Sequence, residues 1–293
     1  MKKVLVLGGT RFFGKRLVEQ LINANYDVTI ATRGLTKDDF GEKVKRIVFN
    51  RDNPNSMEQL AQQSWDVVYD NICYSPNEAK EIVNVLKGKV GRFVFTSTLA
   101  VYEECKNVIE DRFNPYTYPI QYGNREDYTY AEGKKLAEAI LFQQADFPVV
   151  AVRFPVVIGE NDYTERLLFH VKKIWNHQEL VIKNLENEMT FITEEEAGEF
   201  LNWLSTNDVT GPINACSNDV ITFNELIQIC EEELGIKANI VDQGEKENQS
   251  PYDTYSHTYL SNQLAKDLGF KFSNVKDEIK KLIHSYQKNL VKK

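Results

Sequence analysis

Apolar and polar positions along this chain alternate between two rhythms. Short apolar runs of strand length, rich in Val, Ile and Phe, occupy residues 4–7, 28–32, 46–49, 67–69, 93–96 and 149–152. Between them, residues 15–23, 56–62, 79–86 and 131–144 carry their apolar side chains at helical spacing. Strand and helix in regular alternation predict an α/β fold built on a doubly wound parallel sheet. After Pro155 the pattern changes to longer helical stretches at 165–175, 194–204, 223–234 and 275–286. Residues 1–155 are therefore expected to form the sheet domain and 156–293 a smaller, α-rich C-terminal lobe, with part of 190–215 returning to the first domain.

The first strand runs directly into Gly8-Gly9-Thr10-Arg11-Phe12-Phe13-Gly14, and a helical pattern with Leu17, Leu21 and Ile22 follows at once. A strand, a glycine turn and a helix in succession make a cradle for an anion. The glycines let the backbone turn tightly and come close to phosphate oxygens, while the free N–H groups of the new helix face the negative charge. The sheet is accordingly of the Rossmann type, with a dinucleotide expected at residues 8–14 and a ligand crevice at the carboxyl ends of the strands.

Charge and cysteine content narrow the partners. Lys and Arg total 35 against 43 Asp and Glu, a net charge of −8 with no concentrated basic block, which argues against nucleic acid as a partner. No apolar run approaches the ~20 residues of a membrane span. The four cysteines, Cys73, Cys105, Cys216 and Cys230, have no C-x-x-C spacing and read as reduced thiols of a cytoplasmic protein. His170 and His177 lack a third ligand, so no metal site is expected.

Tyr130 and Lys134 lie one helical turn apart and project from one helix face. An ammonium beside a phenol favours the phenolate, which makes the tyrosine a usable proton donor and acceptor near neutrality. Tyr102 and Lys106 share the spacing, but Tyr102 leads into a charged, irregular stretch, whereas Tyr130 opens a strongly periodic helix. Tyr102 reads as structural. Thr96-Ser97-Thr98 ends a strand at the rim where a substrate oxygen would sit, and a hydroxyl there could hydrogen-bond it. Ordinary strand-end polarity explains the same residues.

At these residues the chain resembles the extended and atypical short-chain dehydrogenase/reductases, the epimerase and dehydratase group. The likeness covers nearly the whole length and includes Thr98-Leu99-Ala100-Val101-Tyr102, Tyr130-Ala131-Glu132-Gly133-Lys134, Arg153-Phe154-Pro155, Phe191-Ile192-Thr193 and Gly211-Pro212-Ile213-Asn214-Ala215. It implies an NAD(P)-dependent epimerase/oxidoreductase acting at a hydroxyl-bearing carbon of a nucleotide sugar or related small molecule. Tyr130 is then the acid/base, Lys134 supports it and holds the nicotinamide ribose, and Thr98 polarises substrate. The resemblance also implies a homodimer through the helices at 79–86 and 131–144.

Departures from the family pattern refine the expectation. Arg11 replaces the usual middle glycine of the turn, and its Cβ is expected to block the closest backbone approach to a pyrophosphate unless the turn widens. Where NAD-preferring members carry Asp, this chain has Thr32-Arg33, and a guanidinium there, with Arg11 near, suits a 2′-phosphate, so NADP is expected over NAD. Arg51-Asp52 resembles the family's adenine-contacting acid; a loop ion pair is the other reading. Leu99 and Ala100 replace the Asp-Glu of dehydratases, which disfavours water elimination, and Val156 replaces an asparagine that binds substrate diphosphate in many epimerases. Arg166 could bind a substrate phosphate or be a solvated helix charge. The turn also looks like that of chloroplast stem-loop RNA-binding proteins, which leaves a non-catalytic nucleotide-sensing or RNA-binding protein as the alternative.

Overall fold

A computed structural model describes residues 1–51, 53–253 and 257–291. In chain order its first half runs β1 (Lys3–Leu7), α1 (Phe12–Asn23), β2 (Asp27–Thr32), β3 (Lys45–Val48), α2 (Pro54–Leu60), β4 (Val67–Asp70), α3 (Pro76–Val85), β5 (Phe93–Thr98), α4 (Tyr130–Gln144) and β6 (Val149–Phe154). There follow β7 (Val156–Ile158), α5 (Arg166–Trp175), β8 (Glu179–Val181), β9 (Glu188–Met189), β10 (Phe191–Thr193), α6 (Glu194–Trp203), β11 (Gly211–Asn214), β12 (Ile221–Thr222), α7 (Phe223–Leu234), β13 (Asn239–Val241), α8 (Gln263–Asp267) and α9 (Val275–Val291).

Seven parallel strands in the order β11-β6-β5-β4-β1-β2-β3 form the central sheet. Side chains of a strand alternate between faces, and here both faces are buried. Val4 and Val6 of β1 join Leu17 and Leu21 of α1 and Phe200 of α6 on one side. Leu5 and Leu7 join Leu60, Ile82 and Ile140 from α2, α3 and α4 on the other. The apolar runs are continuous for this reason. The order of the strands reverses between β1 and β4, and the crevice opens at their carboxyl ends.

Ser and Thr start several of the helices. Ser75, Thr129, Thr193 and Thr222 accept from the backbone N–H groups of Glu78, Glu132, Glu196 and Glu225, capping α3, α4, α6 and α7. Close packing of α6 on α1 depends on Gly198, where a Cβ would lie 2.6 Å from the Arg16 Cβ and 2.9 Å from the Leu17 nitrogen.

Three two-stranded sheets, β7 with β10, β8 with β13 and β9 with β12, belong to the second half of the chain. Around them α5, α7 and α9 enclose a separate core that includes Leu167, Val171, Phe191, Phe223, Ile279 and Ile283. The chain re-enters the first sheet through β11, which pairs with β6. Among the described residues no helix is long and apolar enough to cross a membrane.

Candidate functional site

A cleft of about 1160 Å³ opens where the strand order reverses, lined by residues 8–14, 32–36, 49–51 and the ends of β4 and α3. Gly8 and Gly9 hold φ of +93° and +102°, backbone that glycine alone adopts without strain. Gly8 N donates to Ala31 O at 3.0 Å, which ties the turn to the end of β2. A Cβ on Gly14 would stand 3.1 Å from the Gly9 Cα, so the turn and the first coil of α1 touch backbone to backbone.

The Arg11 backbone is extended, with φ −140°, and the left-handed residue of the turn is Phe12 at φ +53°. Strain of about 1–3 kcal/mol at such a residue must be held by its surroundings. Phe12 is buried and makes edge contacts with Phe13 at 5.7 Å and Tyr163 at 6.2 Å. The Arg11 side chain runs along the cleft and donates from Nε to Thr36 Oγ1 at 3.2 Å. No side chain caps α1 and no acid occupies its first turn, so its N–H groups and dipole remain for an anion.

Thr10, Phe13, Thr32 and Arg33 also line the cleft, with Arg33 exposed at the tip of β2. The Arg51 side chain lines it too and is nearly buried in an ion pair with Asp70 of β4. Asp52, named with it in the sequence, lies outside the described residues.

Thr98, Tyr130 and Lys134 do not line this cleft. Lys134 is 1% exposed and donates to Cys73 O at 2.8 Å and Thr96 O at 2.7 Å. Burial pushes its ammonium down to about 8. Its Nζ is 6.0 Å from the centre of the Tyr130 ring, and Tyr130 is 54% exposed at the first turn of α4. Thr98 is buried at the end of β5, where its Oγ1 accepts from Ala100 N at 3.2 Å. Behind Thr98, Ser97 donates to Glu138, which pairs with a fully buried Arg153. Arg153 also donates to the Tyr102 hydroxyl at 2.8 Å and to the carbonyls of Glu110 and Phe113. Tyr102 is thus a structural anchor.

Several side chains here went unnoticed in the sequence. Asn71, just past β4, accepts from Thr96 Oγ1 at 2.7 Å, and its Nδ2 is buried without a partner at the cleft wall. Tyr74 lines the cleft with its ring centre 6.2 Å from that of Tyr130 and 4.5 Å from Lys134 Nζ. Arg125 lies over the same ring at 4.5 Å. The strand-end position of Asn71 was a usable signal; Tyr74 and Arg125 sit in no recognisable motif. Arg166 is engaged within its own segment, donating to Thr164 Oγ1 at 2.9 Å with Asp162 at 3.9 Å.

A glycine cradle, an uncapped helix terminus and an orphaned amide donor in one cleft fit a dinucleotide diphosphate. The sequence profile of the NAD dependent epimerase/dehydratase family matches residues 4–216. UDP-glucuronic acid 4-epimerase from Bacillus cereus, solved with UDP-glucuronic acid and NAD, aligns over 98% of this chain and 99% of its own at 18% identity and a TM-score of 0.76. Thermus thermophilus UDP-glucose 4-epimerase, solved with NAD, aligns over 97% and 98% at 15% identity and a TM-score of 0.72. Both share the fold. The chloroplast stem-loop binding protein of 41 kDa b from Arabidopsis thaliana is 24% identical over 251 residues, 78% of this chain. The chain spans 62% of that relative's length.

Proposed function

Because the chain belongs to the NAD dependent epimerase/dehydratase family, we propose that it is an NAD(P)-dependent epimerase/oxidoreductase working at a hydroxyl-bearing carbon of a nucleotide sugar or related small molecule. The observation that carries this reading is the uncapped N-terminus of α1 beside Gly8, Gly9 and Gly14, in a crevice of about 1160 Å³. The two solved epimerases named above, one with UDP-glucuronic acid and both with NAD, supply the substrate class. A nicotinamide coenzyme held in this crevice would supply reversible hydride transfer at the substrate carbon. Oxidising an alcohol also removes the hydroxyl proton, and Tyr130 is the group proposed to take it. The neighbouring Lys134 ammonium favours the phenolate form of that tyrosine. Thr98 accepts from Ala100 N, which leaves its own proton for the reacting oxygen.

NADP(H) is the coenzyme this reading prefers. A carboxylate at the end of β2 would repel a 2′-phosphate; here Thr32-Arg33 stands there, with Arg11 on the same cleft wall. Asn71 Nδ2 is a further donor towards the diphosphate. Four free thiols are compatible with a reducing cytoplasm as the place of work.

A second reading rests on the stem-loop binding relative. A net charge of −8 opposes it, because RNA binding depends on concentrated cationic surface. Titrating the protein with NAD+, NADP+ and a structured RNA hairpin at ~150 mM salt separates the two. Dinucleotide binding, together with turnover of UDP-sugars that Tyr130→Phe abolishes, is the expected result. Salt-resistant hairpin binding with no dinucleotide affinity would overturn it.

A further inference from the structure

We propose that Tyr74 is a positioning residue that, held by Arg125, stands between the dinucleotide cleft and Lys134 and must swing aside before a ligand in the cleft can reach that lysine. The proposal rests on the coenzyme reading above, and its test has an arm that needs no coenzyme.

Three observations meet at this ring. Tyr74 lines the cleft and Lys134 does not, yet Lys134 Nζ is 4.5 Å from the Tyr74 ring centre. An ammonium has three N–H donors, and the carbonyls of Cys73 and Thr96 take two of them. The remaining donor is what a hydroxyl-bearing ligand would use. The aromatic faces of Tyr74 and Phe95, at 4.5 and 4.7 Å, are what surrounds the ammonium instead.

The backbone of Tyr74 cannot retreat. Its N–H donates to Glu78 Oε2 at 2.6 Å, and its carbonyl oxygen presses on α4 where Gly133 leaves no room for a Cβ. Motion is therefore confined to side-chain rotation. Arg125 opposes that rotation from the cleft, with its guanidinium 4.5 Å from the ring centre. It is fixed by an ion pair with Glu78 and a 2.9 Å bond to Ile72 O. Glu78 thus holds both the backbone of the gate and the residue that latches it. The turn bearing Arg125 is closed by reciprocal capping of Asn124 and Asp127, and Asn77 Nδ2 ties it to α3 through Asn124 Oδ1 at 2.9 Å. The Arg125 side chain is half exposed, so the latch can open into solvent while the turn stays in place.

Acetylation of individual lysines by limiting acetic anhydride, read by peptide mass spectrometry in the full chain, tests the gate directly, with exposed Lys281 as internal standard. Wild-type Lys134 should react slowly; Tyr74→Ala should speed it at least about tenfold and Arg125→Ala by roughly three- to tenfold, the scale of losing such ring–cation contacts. Tyr74→Phe keeps the ring and should remain as slow as wild type. Affinity for NADP+ should tighten by about the same factor in Tyr74→Ala, since no ring needs displacing. Unchanged Lys134 labelling in both alanine variants overturns the proposal, as does fast labelling in Tyr74→Phe, which would assign the barrier to the hydroxyl. Fast labelling in the alanine variants with no dinucleotide binding by any protein would leave the gate standing and sink the coenzyme reading alone. Should Tyr74→Ala fail to fold, the exposed Arg125→Ala decides.

Discussion

Lys134 carries its charge where little solvates it: two carbonyl oxygens and the faces of three rings, with 1% of the residue exposed. Burial brings its pKa down to about 8 from an ordinary 10.5. If the ammonium supports the Tyr130 phenolate, kcat/KM should fall as pH rises through about 8, and Lys134→Arg, which stays charged, should lose that limb while keeping some activity. A profile flat to pH ~10 in the wild type would remove the lysine from the chemistry. Arg33 carries a second expectation at this scale. Arg33→Ala should weaken NADP+ binding about ten- to a hundredfold and leave NAD+ within about twofold, the size of one lost charge-assisted phosphate contact; equal loss of both would refute a 2′-phosphate role. The sequence singled out both residues because spacing and strand-end position carry local geometry. Tyr74 was not, since its relation to Lys134 arises only when the β4 end meets α4.

Helices and strands were legible wherever one period held. The sequence has Tyr130 opening a periodic helix whose apolar pattern runs over 131–144, and α4 starts at Tyr130, where the Thr129 cap places it. Residues 113–128 have no period and were silent, although Tyr116, Tyr118 and Tyr122 pack against α4 side chains. In the second half of the chain, α5 is fastened to the segment before residue 254 by His170. Its Nε2 bonds Ser250 Oγ at 2.8 Å, its Nδ1 lies 2.8 Å from Arg166 O, and its ring stacks on Tyr252 at 4.8 Å. Burial lowers its pKa from 6.5 to about 4. The unfolded chain takes up this proton near 6.5 and the folded one resists until about 4, so the stability it contributes is complete above 6.5 and drains away as pH falls towards 4. The loss amounts to about 3 kcal/mol. Urea midpoints from neutral to acid pH should therefore fall less steeply for His170→Gln than for the wild type, and parallel curves would show that the imidazole is not the titrating group.

The whole molecule bears on the assembly that the family resemblance implies. A homodimer through α3 and α4 needs those helices to offer an apolar outer face, and a stable one commonly buries about 2,000 Å² or more. Here the chain covers α4 with its own residues: Gln143 donates to the carbonyls of Pro115 and Tyr118, Tyr118 bonds Glu132 at 2.8 Å, the Tyr116 ring lies 4.9 Å from that of Phe142, and Ala139 is fully buried. On α3 the exposed residues are Glu81 and Asn84, and Lys80 is spent on Gln144 at 2.7 Å. Among the described residues, Tyr116, Tyr122 and Tyr130 are the large apolar groups left exposed over this region, a small apolar area for a stable pair. The fold alone did not require this covering of α4, because the covering segment is the aperiodic one. Sedimentation equilibrium at micromolar concentration should accordingly return a single 33.8 kDa chain, unchanged by Tyr116→Ser. A mass of twice that value, reduced by Tyr116→Ser or Tyr122→Ser, would mean that residues 113–128 themselves form the contact between subunits.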